Sequence, residues 1–189
     1  MKTIMFGAVT VAAVVAGMGA VMAGAAPIDG KAAKALLFAP VKAEVAVSPT
    51  VDLPKDQATA LEMVGAQQLY YGAIAISPDE GLMSEATVAA ANYHDTDAAS
   101  AVALAECNAK KTGKSDCVVA ALIRPEGWEA RDLQLSSDAT AAVKGLKGGT
   151  LAISAETGAW GVGADEASAV ADCMAKNDKT KACIVVIAQ

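Results

Sequence analysis

Aromatic residues and histidine are scarce in this 189-residue chain, although hydrophobic residues make up 54% of it. The sequence holds two Phe, three Tyr, two Trp and a single His. We therefore expect a core built mainly of Ala, Val, Ile and Leu, in which helices and strands approach one another closely. Such a core is thin, and small domains with thin cores often need covalent cross-links.

Basic residues are fewer than acidic residues and form no run along the chain. There are 15 Lys and Arg against 21 Asp and Glu, which gives a net charge of -6. Proteins that bind nucleic acid or anionic membrane surfaces carry a basic patch or stretch. The charge pattern therefore argues against both kinds of partner.

The short signatures of common enzymes and metal proteins are also missing. The sequence contains neither the G-x-S-x-G elbow of a serine hydrolase nor the C-x2-C pair of a zinc site. A 5-aminolevulinate synthase needs a pyridoxal-phosphate pocket, a Schiff-base lysine and a large cytosolic fold. The residues of this short chain do not support such an enzyme. We expect no cofactor and no metal.

Residues 1–25 have the pattern of a secretory signal peptide. Lys2 is followed by a long run of apolar and small residues, and Ala23 and Ala25 form an A-x-A cleavage site. We predict cleavage between Ala25 and Ala26, which leaves a periplasmic or secreted protein without a membrane segment. The alternative is a transmembrane anchor, because the apolar run is about long enough to span a bilayer.

Cysteine is present in an even number, which in an exported protein predicts two disulfides. The four residues form two C-x9-C pairs: Cys107, Cys117, Cys173 and Cys183. Three connectivities are possible, and the simplest joins each local pair. Each local bond would close a short loop and stabilise the fold by about 2–3 kcal/mol.

Two stretches of the chain nearly repeat each other. "YYGAIAISPDEG" occupies residues 70–81, and "GGTLAISAETGAWG" occupies residues 148–161. Each reads as a buried strand, a Gly-containing turn and a return strand, followed by an Ala-rich helix, a Cys pair and a last apolar strand. The pattern predicts an α+β fold with two tandem β-β-α-β repeats in one compact domain.

The remaining segments flank these repeats. We assign residues 26–69 to an entry segment with a short strand and helices, 70–123 to the first repeat and 149–189 to the second. Residues 124–148 form a linker, in which "EARDLQLS" has the alternation of a strand and "SSDATAAVKG" the pattern of a capped helix.

This combination of motifs resembles the bacterial "domain of unknown function 4189" family of small exported proteins. The resemblance covers roughly residues 70–123 and 149–189, and it lies in "YGAIAIS", the Ala-rich helix that ends in Cys, and "TGAWG". The first repeat departs from the family pattern, since it has "EGLMS" where the second has "TGAWG". The resemblance implies the fold and export, and no defined chemistry.

A Ser–His–Asp site could only use His94, with Ser77 or Ser154 and with Asp95 or Asp97. The spacing does not favour this arrangement, because both serines fall in hairpin turns. Asp95 and Asp97 lack the glycine and distal glutamate of a calcium loop, and we interpret them as helix-capping residues.

Carboxylates also occur at the two predicted hairpin turns, at Asp79, Glu80 and Glu156. Paired carboxylates are the acid and base of glycoside hydrolases. Turn tips, however, are usually polar and solvated, and we interpret these three carboxylates as solvated turn residues.

The linker sequence "IRPEGWEAR" places Arg124, Trp128 and Arg131 close together in an otherwise acidic chain. Aromatic residues and Arg are enriched where proteins recognise one another. We therefore take these three residues, together with His94 in the longer return of the first repeat, as possible recognition residues.

The leading functional hypothesis is a non-enzymatic periplasmic or secreted module that binds or inhibits a protein partner in the envelope or acts in envelope stress. One alternative is a small periplasmic hydrolase that uses His94 and nearby acids. The other is a binder of a small ligand between the two repeats.

Overall fold

The computed structural model describes residues 26–40 and 42–188, so the predicted signal peptide lies outside the described residues. The described chain forms five helices: α1 (Gly30–Leu36), α2 (Lys55–Gly65), α3 (Thr96–Lys110), α4 (Ser137–Gly145) and α5 (Glu166–Ala175). It forms eight strands: β1 (Ile28–Asp29), β2 (Ala43–Val47), β3 (Gly72–Ile76), β4 (Val88–Ala90), β5 (Val118–Pro125), β6 (Thr150–Ile153), β7 (Trp160–Gly163) and β8 (Ile184–Ala188). None of these helices is both long and apolar enough to cross a membrane.

The strands form two four-stranded sheets, which confirms the predicted α+β class. One sheet has the order β2-β5-β3-β4 and the other the order β1-β8-β6-β7. All pairs are antiparallel except β1 with β8, which is parallel. The two strands of the entry segment thus occupy one edge of each sheet.

Both doubled stretches build the same local arrangement. β3 and β6 lie inside their sheets, pair with the return strands β4 and β7, and pair on the other side with the strand that follows the helix. The register of that second pairing shifts between Ile74 and Ala75 in one sheet and between Leu151 and Ala152 in the other. Two positive-φ glycines, Gly81 and Gly158, lie in the two hairpin turns.

Two predicted details of the chain path are wrong. The linker stretch "EARDLQLS" contains no strand, although Leu133 and Leu135 are buried in the core of the second sheet. The return strand predicted over "LMSEATVAAANYH" (residues 82–94) is present but much shorter, because only residues 88–90 are extended and Thr87 Oγ1 donates to the Leu82 carbonyl at 2.7 Å.

The helices pack on the sheets through small residues. The buried residues of α3 are Ala99, Ala103 and Cys107, and those of α5 are Ala169 and Cys173, all four residues apart. Side chains at this spacing share one helix face. This face of alanine and cysteine brings each helix backbone close to its sheet, as the scarcity of aromatic residues predicts.

Both disulfides join the local pairs. Cys107 bonds Cys117 and Cys173 bonds Cys183, with Cα atoms 6.1 Å and 6.3 Å apart. Each bond links the last turn of a helix to the chain just before the following strand. No described cysteine is free.

The second hairpin lies directly against the backbone of α5. A Cβ atom on Gly161 of β7 would overlap the backbone nitrogen of Cys173 and lie 2.5 Å from the Ala169 carbonyl oxygen. The "TGAWG" sequence therefore needs glycine at this position, because β7 touches the backbone of α5 directly.

Candidate functional site

Arg124 and Trp128 form the centre of the predicted recognition surface, and both side chains are half-buried. Arg124 lies near the end of β5, and Trp128 follows a turn in which Gly127 has a φ of 68°. Glu44 of β2 fixes this turn, since its Oε2 accepts a hydrogen bond of 3.0 Å from the Gly127 N–H. The turn brings the indole under the arginine.

The guanidinium of Arg124 stacks on Trp128 without an ionic partner. Its central carbon lies 4.2 Å from the ring centroid, a cation–π distance. Arg124 Nε is buried and makes no hydrogen bond to any described residue, and no described acid lies within ion-pair distance. Its cross-strand neighbour is Glu44, whose carboxylate is instead engaged by Gly127.

Arg131 stacks on Phe38, which packs against the same hydrophobic core cluster as Trp128, but Arg131 is fully engaged within the fold. It lies 3.6 Å over the ring of Phe38, donates to the Leu36 carbonyl at 2.9 Å and pairs with Glu129 at 2.7 Å. Arg131 therefore ties the linker to the entry segment. Of the two linker arginines, only Arg124 keeps its charge available for a partner.

Tyr70 and Tyr71 are buried in the core next to Trp128. Their rings meet edge to face with centroids 5.4 Å apart, and both hydroxyls are buried without a hydrogen-bond partner among the described residues. Burial, with a smaller effect of Tyr70, raises the pKa of Tyr71 to about 12. Both phenols are therefore neutral at physiological pH, and we assign them to packing.

A groove of about 380 Å³ begins at Arg124. Its apolar floor consists of Ala46, Leu122 and neighbouring residues of β2 and β5, and Ser100 of α3 forms part of the opposite wall. Sequence reasoning missed this groove. The alternating pattern of β2 is the sequence feature that could have indicated this groove. It places Glu44 and Ala46 on the same face of the strand, where they pair with Arg124 and Leu122 of β5.

His94 does not belong to this surface, which corrects the recognition role predicted for it. Its side chain is only 2% exposed. Nδ1 accepts a hydrogen bond of 3.2 Å from the Ser136 N–H, and Nε2 lies 3.1 Å from the Ala159 carbonyl, to which it must donate as the N–H tautomer. Burial lowers the pKa of His94. This neutral imidazole thus links the first repeat, the linker and the second hairpin.

The serines and aspartates considered around His94 do not bond to it, and of the two aspartates only Asp95 caps a helix, whereas Asp97 lies in the first turn of α3. Ser77 and Ser154 are buried in the hairpin turns, and Asp95 caps α3 by accepting from the Ala98 N–H at 2.7 Å. Both His94 nitrogens are bonded to backbone groups, so the ring activates neither serine. The described residues contain no group of three or more His, Cys, Asp or Glu side chains that could hold a metal ion.

Asp79 and Glu80 hold the loop that the first disulfide closes. Asp79 accepts from the backbone N–H and hydroxyl of Ser115, each at 2.8 Å, and Glu80 accepts from the hydroxyl of Thr112 at 2.9 Å. The hydrogen bond from the Ser115 backbone lowers the pKa of Asp79. These carboxylates serve as acceptors for a loop rather than as a catalytic pair.

Replacement of Asp79 by Ala should release this loop locally. We expect faster amide hydrogen exchange at residues 112–115, because the Ser115 N–H loses its carboxylate acceptor, with unchanged exchange in the strands. Glu156→Ala is the matched control, since Glu156 is the exposed acid of the other hairpin turn. Equal exchange in Asp79→Ala and wild type would show that the carboxylate does not hold the loop.

Comparisons with family models, with curated proteins and with solved structures find no match. The resemblance to the "domain of unknown function 4189" family therefore stays a prediction from the motifs. Function has to be inferred from the geometry of the chain itself.

Proposed function

We propose that the protein is a non-enzymatic binding module of the periplasm or the extracellular space, and that it recognises a protein partner through the Arg124 groove. The observation that carries this proposal is the half-buried, unpaired guanidinium of Arg124, stacked on Trp128 at the end of an apolar groove. Inhibition of an envelope protein and a role in envelope stress are both compatible with such a module.

The chemistry of the groove indicates what the partner presents. An arginine that stacks on an aromatic ring keeps its outer N–H groups directed for a carboxylate. The floor beside it accepts an apolar side chain. The expected ligand is therefore a peptide segment in which Asp, Glu or a C-terminal carboxylate lies next to an apolar residue.

The hydrolase alternative has less support. It requires His94 to act as a general base that reaches a substrate, yet the ring is buried and both nitrogens are bonded to backbone groups. The turn carboxylates Asp79 and Glu80 are engaged by residues 112–115. Ser77 and Ser154 are buried in the hairpin turns, where neither hydroxyl contacts the imidazole.

Export is supported by two independent features. Residues 1–25 have the composition of a signal peptide, and the described chain contains two disulfides, which persist in oxidising compartments. An N-terminal sequence of the protein recovered from its native cell that begins at Ala26 would establish the predicted cleavage.

Selection from a random peptide library displayed on phage tests the recognition surface. We expect enriched peptides to carry a carboxylate beside an apolar residue. Arg124→Met, which removes the charge and keeps a long side chain, should weaken their binding at least about tenfold, the loss expected for one charge-assisted hydrogen bond. Isothermal titration calorimetry with synthetic peptides measures the change.

Lys110→Met is the matched control, because Lys110 is an exposed residue at the end of α3 and its loss changes the net charge equally. It should leave peptide affinity unchanged. If no peptide is enriched, or if the Arg124→Met variant binds the enriched peptides as tightly as wild type, the proposed recognition surface is wrong.

A further inference from the structure

A second groove, of about 300 Å³, lies between the segment that follows β4 and the second hairpin. One wall is formed by residues 91–93, which follow β4, and the other by residues 157–160, which form the turn of the second hairpin and the start of β7. Lys176 and Asn177, at the end of α5, complete it. The groove is separate from the Arg124 groove, with which it shares no lining residue.

The two walls are held together by direct contacts. Gly158 has a φ of 70°, and a Cβ atom there would lie 2.8 Å from the carbonyl oxygen of Asn92, so the turn touches the opposite wall. The next residue, Ala159, accepts the hydrogen bond of the buried His94. The groove therefore exists before any ligand arrives, which lowers the entropic cost of binding.

Asn92 is the one described residue other than glycine with a positive φ, at 65°. Two hydrogen bonds to Asp138 hold it: its amide nitrogen donates to Asp138 Oδ2 at 2.8 Å, and its amide oxygen accepts from the Asp138 N–H at 3.2 Å. Residues held in such unusual backbone conformations cluster at ligand sites. Here the conformation shapes one wall of the groove.

The groove combines aromatic surface with available hydrogen-bond donors. Tyr93 and Trp160 are half-buried, so part of each residue faces the groove. The Asn177 amide nitrogen makes no hydrogen bond to the described residues, while its oxygen accepts from the Lys179 N–H at 2.9 Å. Lys176 Nζ lies 5.7 Å from the Trp160 ring centroid.

The positive charge of Lys176 is balanced inside the site. Its Nζ lies 3.4 Å from Asp172 Oδ1, and the other oxygen of Asp172 accepts from the Val162 N–H at 3.1 Å. The ammonium has three N–H donors, so it can still donate to a ligand oxygen. The balance of charge favours an uncharged ligand that is rich in acceptors over a free anion.

We propose that this groove binds a saccharide unit. A sugar ring has an apolar C–H face, which packs against the π face of an indole, and a rim of hydroxyl oxygens, which accept hydrogen bonds. Trp160 supplies the indole for the C–H face, and Lys176 and Asn177 supply the hydrogen-bond donors for the hydroxyl oxygens. The volume lies at the lower end of the range for small-ligand sites, so one ring fills the groove and further units extend into solvent.

Trp160 fluorescence tests this proposal, because Trp128→Phe leaves Trp160 as the one tryptophan of the chain. The probes are the trisaccharides of glucose and of N-acetylglucosamine. We expect a saturable change in Trp160 emission with at least one of them. Amide shifts in two-dimensional NMR should be concentrated at residues 91–93, 157–160 and 176–177.

Two lysine variants separate a binding role from a general effect of charge. Lys176→Met should weaken the trisaccharide about tenfold, the effect of losing one hydrogen bond from a charged donor. Lys179→Met should not, because Lys179 is exposed on the next loop and does not line the groove. Equal losses in both variants would overturn the proposal.

Other outcomes are equally decisive. Absence of a saturable response with both trisaccharides, or amide shifts that lie outside the groove, would overturn the site. Arg124→Met should leave saccharide affinity unchanged, and a loss of affinity in that variant would assign the sugar to the other groove. Failure of peptide selection does not affect these measurements, so the two grooves are tested independently.

Discussion

The Gly161→Ala variant should be destabilised by at least about 3 kcal/mol, the upper part of the range for overpacking a buried site. The added methyl group would overlap the Cys173 nitrogen and approach the Ala169 carbonyl oxygen, and both are backbone atoms of a helix that cannot rotate away. The melting temperature should fall by roughly 6–12 °C for a chain of this size. Differential scanning calorimetry measures the change.

Gly145→Ala is the control for this experiment. Gly145 is the last residue of α4, and a Cβ atom there meets nothing within 4 Å. Because alanine favours helix by about 1 kcal/mol over glycine, this variant should melt at or slightly above the wild-type temperature. Wild-type stability of Gly161→Ala would show that β7 and α5 are farther apart than described.

Acid should weaken the protein through His94, and His94→Leu should both destabilise it and remove this pH dependence. The variant leaves the Ser136 N–H and the Ala159 carbonyl buried without partners, at a cost of about 1–3 kcal/mol each. Chemical denaturation at a series of pH values measures both effects.

The direction of the pH effect follows from the lowered pKa of His94. Below about pH 6.5, the usual histidine pKa, the unfolded chain gains a proton that the folded chain resists. The free energy of unfolding should therefore decrease as the pH falls from 6.5, by up to about 1.4 kcal/mol per pH unit.

The window between pH 6.5 and 5.5 isolates His94, because the carboxyls with resolved shifts have pKa values below their usual range and lose their contribution only as the pH falls towards and below the usual carboxyl pKa of about 4. These are Asp79, Glu80, Asp116 and Asp165. A wild-type profile that is flat across this window, or the same slope in His94→Leu, would contradict a buried neutral role.

Local signals in the sequence predicted most of the local structure. Asp95 and Ser136 are capping residues because their side chains accept from N–H groups that the first helical turn leaves free. Gly81 and Gly158 mark the hairpin turns because their φ angles are positive. The cysteine spacing indicated local disulfides because a short loop joins each helix to its next strand.

The linker segment "EARDLQLS", which was predicted to be a strand and is not, shows the limit of such local signals. Leu133 and Leu135 alternate with polar residues as in a strand, and both are buried. The segment nevertheless pairs with no strand, and the residues after it bond elsewhere: the Ser136 N–H to His94 and the Ser137 N–H to the Tyr70 carbonyl. Alternation reports which side chains are buried, but it does not report where backbone groups find their partners.

The two grooves and the burial of His94 also depend on contacts between distant segments. His94 meets residues 42 and 65 positions away, and Arg124 is left unpaired because Glu44 bonds to Gly127 instead. The linker sequence identified Arg124 and Trp128 as unusual. Which arginine stays available is decided by Phe38 and Leu36, which engage Arg131 and lie far away in the sequence.

The parallel pairing of β1 with β8 sets an order of events during folding. Ile28 pairs with Ile187 and Asp29 with Ala188, so the first strand finds its place only after almost the whole described chain has emerged. Contacts over such sequence distances form slowly, whereas the disulfide loops and hairpins close early because their ends are near each other. In the proposed export from the N-terminus, the first strand would therefore stay unpaired until the last one has crossed the membrane.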